Sequence, residues 1–151
     1  TLLPTQEYLD VYQEAVKIFQ AALGASHPRY AAVVNGWACV LRDQKRSEEA
    51  EKYYRQAIAI YERKGAQYQT DLVAPLHNLG ALLFEEGRVE EAGPLLERAA
   101  QLAEKERKPG DGRALITQRT LVRYYRAIGD QVQATRCEKR VNELLVESMS
   151  K

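Results

Sequence analysis

The sequence predicts an all-α solenoid of antiparallel helical hairpins, about seven helices in one continuous stack. Three observations carry that reading: a self-similar period, helical spacing of the apolar residues inside each period, and turn residues at matching places. Ala50, Ala92 and Ala134 are spaced 42 residues apart, and the same interval aligns Ala15, Ala57 and Ala99 with Val141, and Ile18, Ile60 and Leu102 with Leu144. A period of roughly 20–50 residues marks a chain whose units cannot bury their apolar faces alone and must stack.

The first element, Gln6 to Leu23, reads as a helix with Tyr8, Ala15 and Ile18 in the columns of later second helices. Its own first helix is missing, so its inner face is expected to be partly exposed unless Thr1 to Pro4 or a partner chain covers it. Three hairpins follow. Their first helices are expected over Tyr30 to Asp43, Asp71 to Glu86 and Ala114 to Ile128, with buried columns Trp37/Leu79/Leu121, Ala38/Gly80/Val122 and Leu41/Leu83/Tyr125. The second helices are expected over Ser47 to Lys64, Val89 to Lys108 and Gln131 to Ser148. Small residues at Ala50, Ala57, Gly80, Ala92 and Ala99 suit a close helix crossing, and Trp37 and Tyr54 fill the space beside it.

Punctuation agrees with these limits. Gly87-Arg88 and Gly129-Asp130 separate the helices of two hairpins, Lys45-Arg46-Ser47 stands in the same place in the first, and Ser47 reads as an N-cap. Arg63 and Lys64 before Gly65, and Lys105, Arg107 and Lys108 before Pro109-Gly110, read as basic helix ends closed by breakers. The resulting division is a half unit over 1–28, units over 29–70 and 71–112, and a looser unit over 113–151, where Glu138 stands in the column of Tyr54 and Leu96, and Gln118 in that of Val34 and Leu76. Terminal units loosen in this way because one face meets water.

Composition narrows the function. In 151 residues, 45% are hydrophobic and 28% charged, as in an ordinary soluble domain, and the net charge of +1 is too small for a dedicated nucleic-acid or membrane-surface protein. No apolar run approaches the roughly 20 residues that span a bilayer. Cys39 and Cys137 lack metal-ligand or disulfide-framework spacing, so both read as free thiols of an intracellular, cytoplasmic protein. With only two histidines there is no zinc pattern, and no phosphate loop or metalloprotease helix is present; no metal, cofactor or catalytic activity is expected. The chain opens at Thr1 directly before a helical pattern and reads as a segment of something longer.

The small-residue columns Ala38, Ala50 and Ala57, repeated as Gly80, Ala92 and Ala99, resemble the tetratricopeptide repeat. The longer 42-residue period, the linker Leu23-Gly24-Ala25-Ser26-His27-Pro28 and the runs Leu76-His77-Asn78-Leu79-Gly80 and Gly87-Arg88-Val89-Glu90-Glu91-Ala92 are similar to the kinesin light chain type of repeat. Gly36, in place of a second asparagine, and Arg119-Thr120 depart from it. The resemblance implies a right-handed superhelix that scaffolds other proteins, with first helices lining a concave groove for a partner peptide or helix. Self-association through the terminal helices, or a regulatory place in a larger protein, is the alternative.

On that implied geometry the groove positions are Asn35, Cys39 and Arg42, then His77, Ala81 and Phe84, then Arg119, Arg123 and Arg126. Asn78, beside His77, offers a two-sided amide to a peptide backbone. Arg119, Arg123 and Arg126, spaced by four and three, form one ridge suited to carboxylate or phosphate and expected to prefer an acidic peptide, and the alternative is a solvated helix face. Phe84 is either a groove anchor or part of the interface to the next hairpin. His77 reads as a polar groove residue, since no serine or cysteine stands beside it to be activated. His27 reads as a turn residue. Of each tyrosine pair, Tyr53-Tyr54 and Tyr124-Tyr125, one member is expected to face inward.

Overall fold

Seven α-helices and one short 3-10 turn form among residues 6–108 and 110–149, which the computed structural model describes. They run in the order α1 (Gln6–Leu23), α2 (Pro28–Asp43), α3 (Ser47–Lys64), the turn Ala66–Tyr68, α4 (Gln69–Glu85), α5 (Val89–Lys105), α6 (Arg113–Ala127) and α7 (Gln131–Met149). Helices α2 and α3, α4 and α5, and α6 and α7 pair as hairpins, and each hairpin packs on the next through neighbouring helices. Thr1 to Pro4, considered above as a cover for α1, and the breaker Pro109 are outside the described residues. None of the described helices is long and apolar enough to cross a membrane.

The small-residue columns are the crossings. Ala38, Ala50, Ala57, Ala92, Ala99 and Ala134 have no exposed surface. Gly80 is seated against Leu96, and a Cβ at Gly80 would fall 2.8 Å from the Leu96 Cγ and 3.3 Å from the Ala92 carbonyl oxygen. The large members of the same stripes, Tyr54, Leu41, Leu76, Leu79, Leu83 and Leu96, are buried around these crossings. Each such burial contributes roughly 1.5–3 kcal/mol, so these stripes outweigh any surface ion pair.

Several local expectations are corrected. Ser47 is the first residue of α3 rather than its cap; Arg46 holds the cap position without a side-chain cap bond and instead pairs with Glu49 at 2.7 Å. Arg88 repeats this ahead of α5 with Glu91 at 2.8 Å, whereas Asp130 accepts from the Gln133 N–H at 3.0 Å in the manner of a true cap. His27, read as a turn residue, is the cap of α2: its Nδ1 accepts from the Arg29 N–H at 3.1 Å, and Pro28 takes the first helical position, where its missing N–H costs nothing. Helix α5 ends at Lys105, three residues short of expectation, and α4 begins at Gln69, two residues early.

Of the tyrosine pairs, Tyr54 is buried and Tyr53 half-buried, while Tyr124 rather than Tyr125 takes the deeper place. Gly93 explains the second case, since a Cβ there would strike the Tyr124 ring. Gly36 is explained in the same way by Tyr12 of α1, whose hydroxyl lies over it while its ring stacks on Trp37 at 5.7 Å. A side chain at Gly36 would displace the contact that orients α1.

Away from the first helices, ion pairs link successive second helices. Arg88 reaches back to Glu51 on α3 (2.6 Å), Arg98 to Glu62 on α3 (2.6 Å), and Arg140 to Glu104 on α5 (2.8 Å). Hydrogen bonds from Arg88 hold the Glu51 carboxyl below its ordinary range. At the entry to α6, Arg113 closes on Asp111 at 2.6 Å and donates to the Thr70 carbonyl at 2.9 Å, tying the last hairpin to the start of α4.

Candidate peptide-binding groove

Helices α2, α4 and α6 pack side by side as one row and carry all the residues expected to meet a partner, Cys39 on α2 and Ala81 on α4 among them. Asn35 and Arg42 are on α2, His77, Asn78 and Phe84 on α4, and Arg119, Arg123 and Arg126 on α6. The structure links some of them across helices. The Asn78 amide nitrogen donates to the Asn35 Oδ1 and the Cys39 Sγ, both at 3.4 Å, and the Cys39 sulfur also accepts from the Tyr54 hydroxyl at 3.3 Å. His77 Nε2 lies 2.8 Å from the Thr120 Oγ1, whose own proton goes to the Ile116 carbonyl at 3.2 Å. The hydroxyl is thereby left as an acceptor, which assigns the His77 proton to Nε2.

Electrostatics along the row are uneven. Burial pushes the His77 pKa below its ordinary value, and the nearby Arg42 guanidinium acts in the same direction against hydrogen bonding with Asn78. His77 is therefore a neutral donor and acceptor near pH 7. Arg119 and Arg123 are exposed and have no ion-pair partner among the described residues, whereas Arg126 donates to Glu138 of α7 at 2.7 Å. These side chains border a shallow cleft of about 350 Å³ between α6 and α7.

Phe84 packs edge-on against Tyr124 at 5.8 Å, so its ring contributes to the joint between the second and third hairpins. Repeat equivalence adds Thr120, which stands one period after Asn78 and performs on His77 the same bridging that Asn78 performs on Asn35. Glu138 was legible only as a departure from an apolar column; that it would neutralise Arg126 required the fold. Among the described residues no cluster of three or more His, Cys, Asp or Glu is arranged to hold a metal ion, and Cys39 and Cys137 are free.

Stacked helical hairpins with small residues recurring at their crossings define a class of repeat scaffold, and the sequence pattern of the tetratricopeptide repeat family matches residues 6–63 and 71–144. The chain belongs to that family. Its fold is similar to those of two solved proteins. BtubC (BKLC) from P. vanneervenii superposes with a TM-score of 0.82 at 24% identity, over 93% of this chain and 56% of the other. A Podosopora anserina putative kinesin light chain with nearly identical TPR-like repeats gives 0.79 at 24% identity, over 95% and 68%; a singly substituted form of that protein gives 0.73 at 23%, over 97% and 69%. The chain thus spans about half the length of BtubC. No curated protein sequence matches it.

Proposed function

We propose that this chain is a protein-recognition domain, a half unit and three hairpins long, in which α2, α4 and α6 hold a segment of a partner protein and Arg119 and Arg123 engage its carboxylates. Tetratricopeptide repeats mediate protein–protein interaction and are typically non-enzymatic scaffolds; the acidic preference is the finer step. The observation that carries it is the pair of exposed guanidinium groups on α6 with no acidic partner among the described residues, in a row of helices whose Asn35, Asn78, His77 and Thr120 offer polar contacts to a backbone. The free thiols Cys39 and Cys137 support an intracellular setting.

Fluorescence anisotropy with a glutamate-rich peptide and its glutamine counterpart tests the reading. Tighter binding of the acidic peptide, weakening with salt and lost on joint Arg119→Glu and Arg123→Glu substitution, is the expected result. Unchanged affinity and unchanged salt dependence in that variant would remove the acidic preference.

A further inference from the structure

The repeat lets the two joints between hairpins be compared position by position. In the first joint, three ion pairs tie α3 to α5 and its entry: Arg88 to Glu51 (2.6 Å), Arg55 to Glu91 (3.5 Å) and Arg98 to Glu62 (2.6 Å). One period on, the last of these recurs between α7 and α5 as Arg140 to Glu104 (2.8 Å). The positions of Glu51 and Arg88 hold Gly93 and Asp130, and those of Arg55 and Glu91 hold Glu97 and Gln133, so neither of the other pairs has both its charges. Asp130 caps α7 instead, through the Gln133 N–H. The second joint is thus tied where α5 runs into its linker and lacks these ties where α7 begins.

Packing follows the same gradient. Ile58, Leu76 and Leu95 pack in the core at the first joint, and their counterparts are Ala100, Gln118 and Cys137. These exchanges strip branched apolar groups from the walls and floor of the space between α5 and α7, where a cleft of about 820 Å³ opens over Leu121 and Tyr125 of α6. Exposed ion pairs are individually weak, so the lost burial is the larger difference, and the missing pairs mark which end it affects. At the linker end Val73, Ala103, Ala114 and Leu144 form a separate apolar cluster from α4, α5, α6 and α7, and Arg113 donates to the Thr70 carbonyl.

Two rings hold the other end. The Tyr125 hydroxyl donates to Glu97 at 2.6 Å, and Tyr124 fills the gap at Gly93 with its ring edge-on to Phe84. Both contacts can separate while every helix stays intact. We infer that the third hairpin is a hinged arm: α6 and α7 swing as one body about the linker end, and part from α5 at the far end when the Tyr124 and Tyr125 contacts release. Helices α2 to α5 do not share this motion. The swing changes the interval between α4 and α6, so the last step in the row of first helices alone has an adjustable width.

Glu48, Glu90 and Val132 are exposed and occupy one repeat position at the start of α3, α5 and α7. Nitroxides coupled to encoded keto side chains at those positions leave Cys39 and Cys137 unlabelled, and pulsed electron–electron resonance then reads each joint. The Glu48/Glu90 pair should give one narrow distance, and Glu90/Val132 a distribution roughly twice as broad or a second, longer distance. A pair inside the third hairpin, on Val132 and the exposed Ile116, should stay narrow. Gln133→Arg gives Glu97 a charge partner across the joint, and Ala100→Ile with Cys137→Leu restores the residues of the first joint. Either change should narrow Glu90/Val132 toward the width of Glu48/Glu90. Equal widths at the two joints in the native protein overturn the inference. So does a broad Ile116/Val132 distribution, which places the motion in the first turn of α7, or a Glu90/Val132 width that neither variant reduces.

Discussion

Leu96 of α5 occupies the space that a side chain on Gly80 of α4 would need, its Cγ standing 2.8 Å from where a Cβ would be. Leu96 is itself buried and cannot swing into solvent. Gly80→Ala gains about 1 kcal/mol of helix propensity against that clash, but Gly80→Val adds further volume and a stiff branch with little propensity gain. Gly80→Val should therefore destabilise by about 1–3 kcal/mol in urea unfolding, and Ala92→Arg or Ala99→Arg by about 2–5 kcal/mol. Wild-type melting of these variants would show that the crossings are loose.

Lys45 has φ of 62°, the only non-glycine among the described residues with positive φ, and its period counterparts Gly87 and Gly129 have 78° and 79°. The left-handed conformation costs a non-glycine residue roughly 1–2 kcal/mol, while glycine brings back about 0.5–1 kcal/mol of unfolded-state entropy. Lys45→Gly should thus stabilise by up to about 1 kcal/mol, read as a higher urea midpoint at constant slope.

His77 sets a pH dependence of the folded state. Its folded pKa is below the ordinary 6.5, chiefly through burial. Between those two values the unfolded chain binds a proton that the folded chain does not, so stability falls as pH drops through that window and is retained above it. Relative to His77→Gln, the native protein should lose ground between about pH 7.5 and pH 5.5. A constant difference between the two urea midpoints across that range would mean that the ring is solvated.

The helices were legible in the sequence because the 42-residue columns report packing that recurs, and Ala50, Ala92 and Ala134 indeed share one environment. What does not recur was not legible. Tyr125 was placed inward by its column with Leu41 and Leu83, but the gap at Gly93 admits Tyr124 instead. The turn Ala66–Tyr68 has no counterpart among the described residues of the other linkers and so left no periodic trace. For the candidate site, the sequence located the residues on their helices. Which were already engaged, as Asn78 is with Asn35 and Phe84 with Tyr124, depends on how neighbouring helices are seated against one another.

Arg126 is held by Glu138, unlike Arg119 and Arg123. Glu138→Gln should release it and tighten binding of the acidic peptide by a few-fold, with a steeper salt dependence, while Arg126→Gln alone should change little. The reverse order of effects, measured by anisotropy at two salt concentrations, would identify Arg126 as the principal contact.

Hydrogen bonds between first helices join residues 43 apart in Asn35 to Asn78, His77 to Thr120 and Thr70 to Arg113 but 39 apart in Cys39 to Asn78, whereas the pairs Glu62 to Arg98 and Glu104 to Arg140 between second helices lie 36 apart. Against a period of 42, the links in the two layers are offset by different amounts. Unequal slippage in two layers is a rotation. A rigid, straight guest that registers with the first unit therefore drifts out of register by the third, and the guest that can stay in contact throughout is one whose backbone bends as it goes.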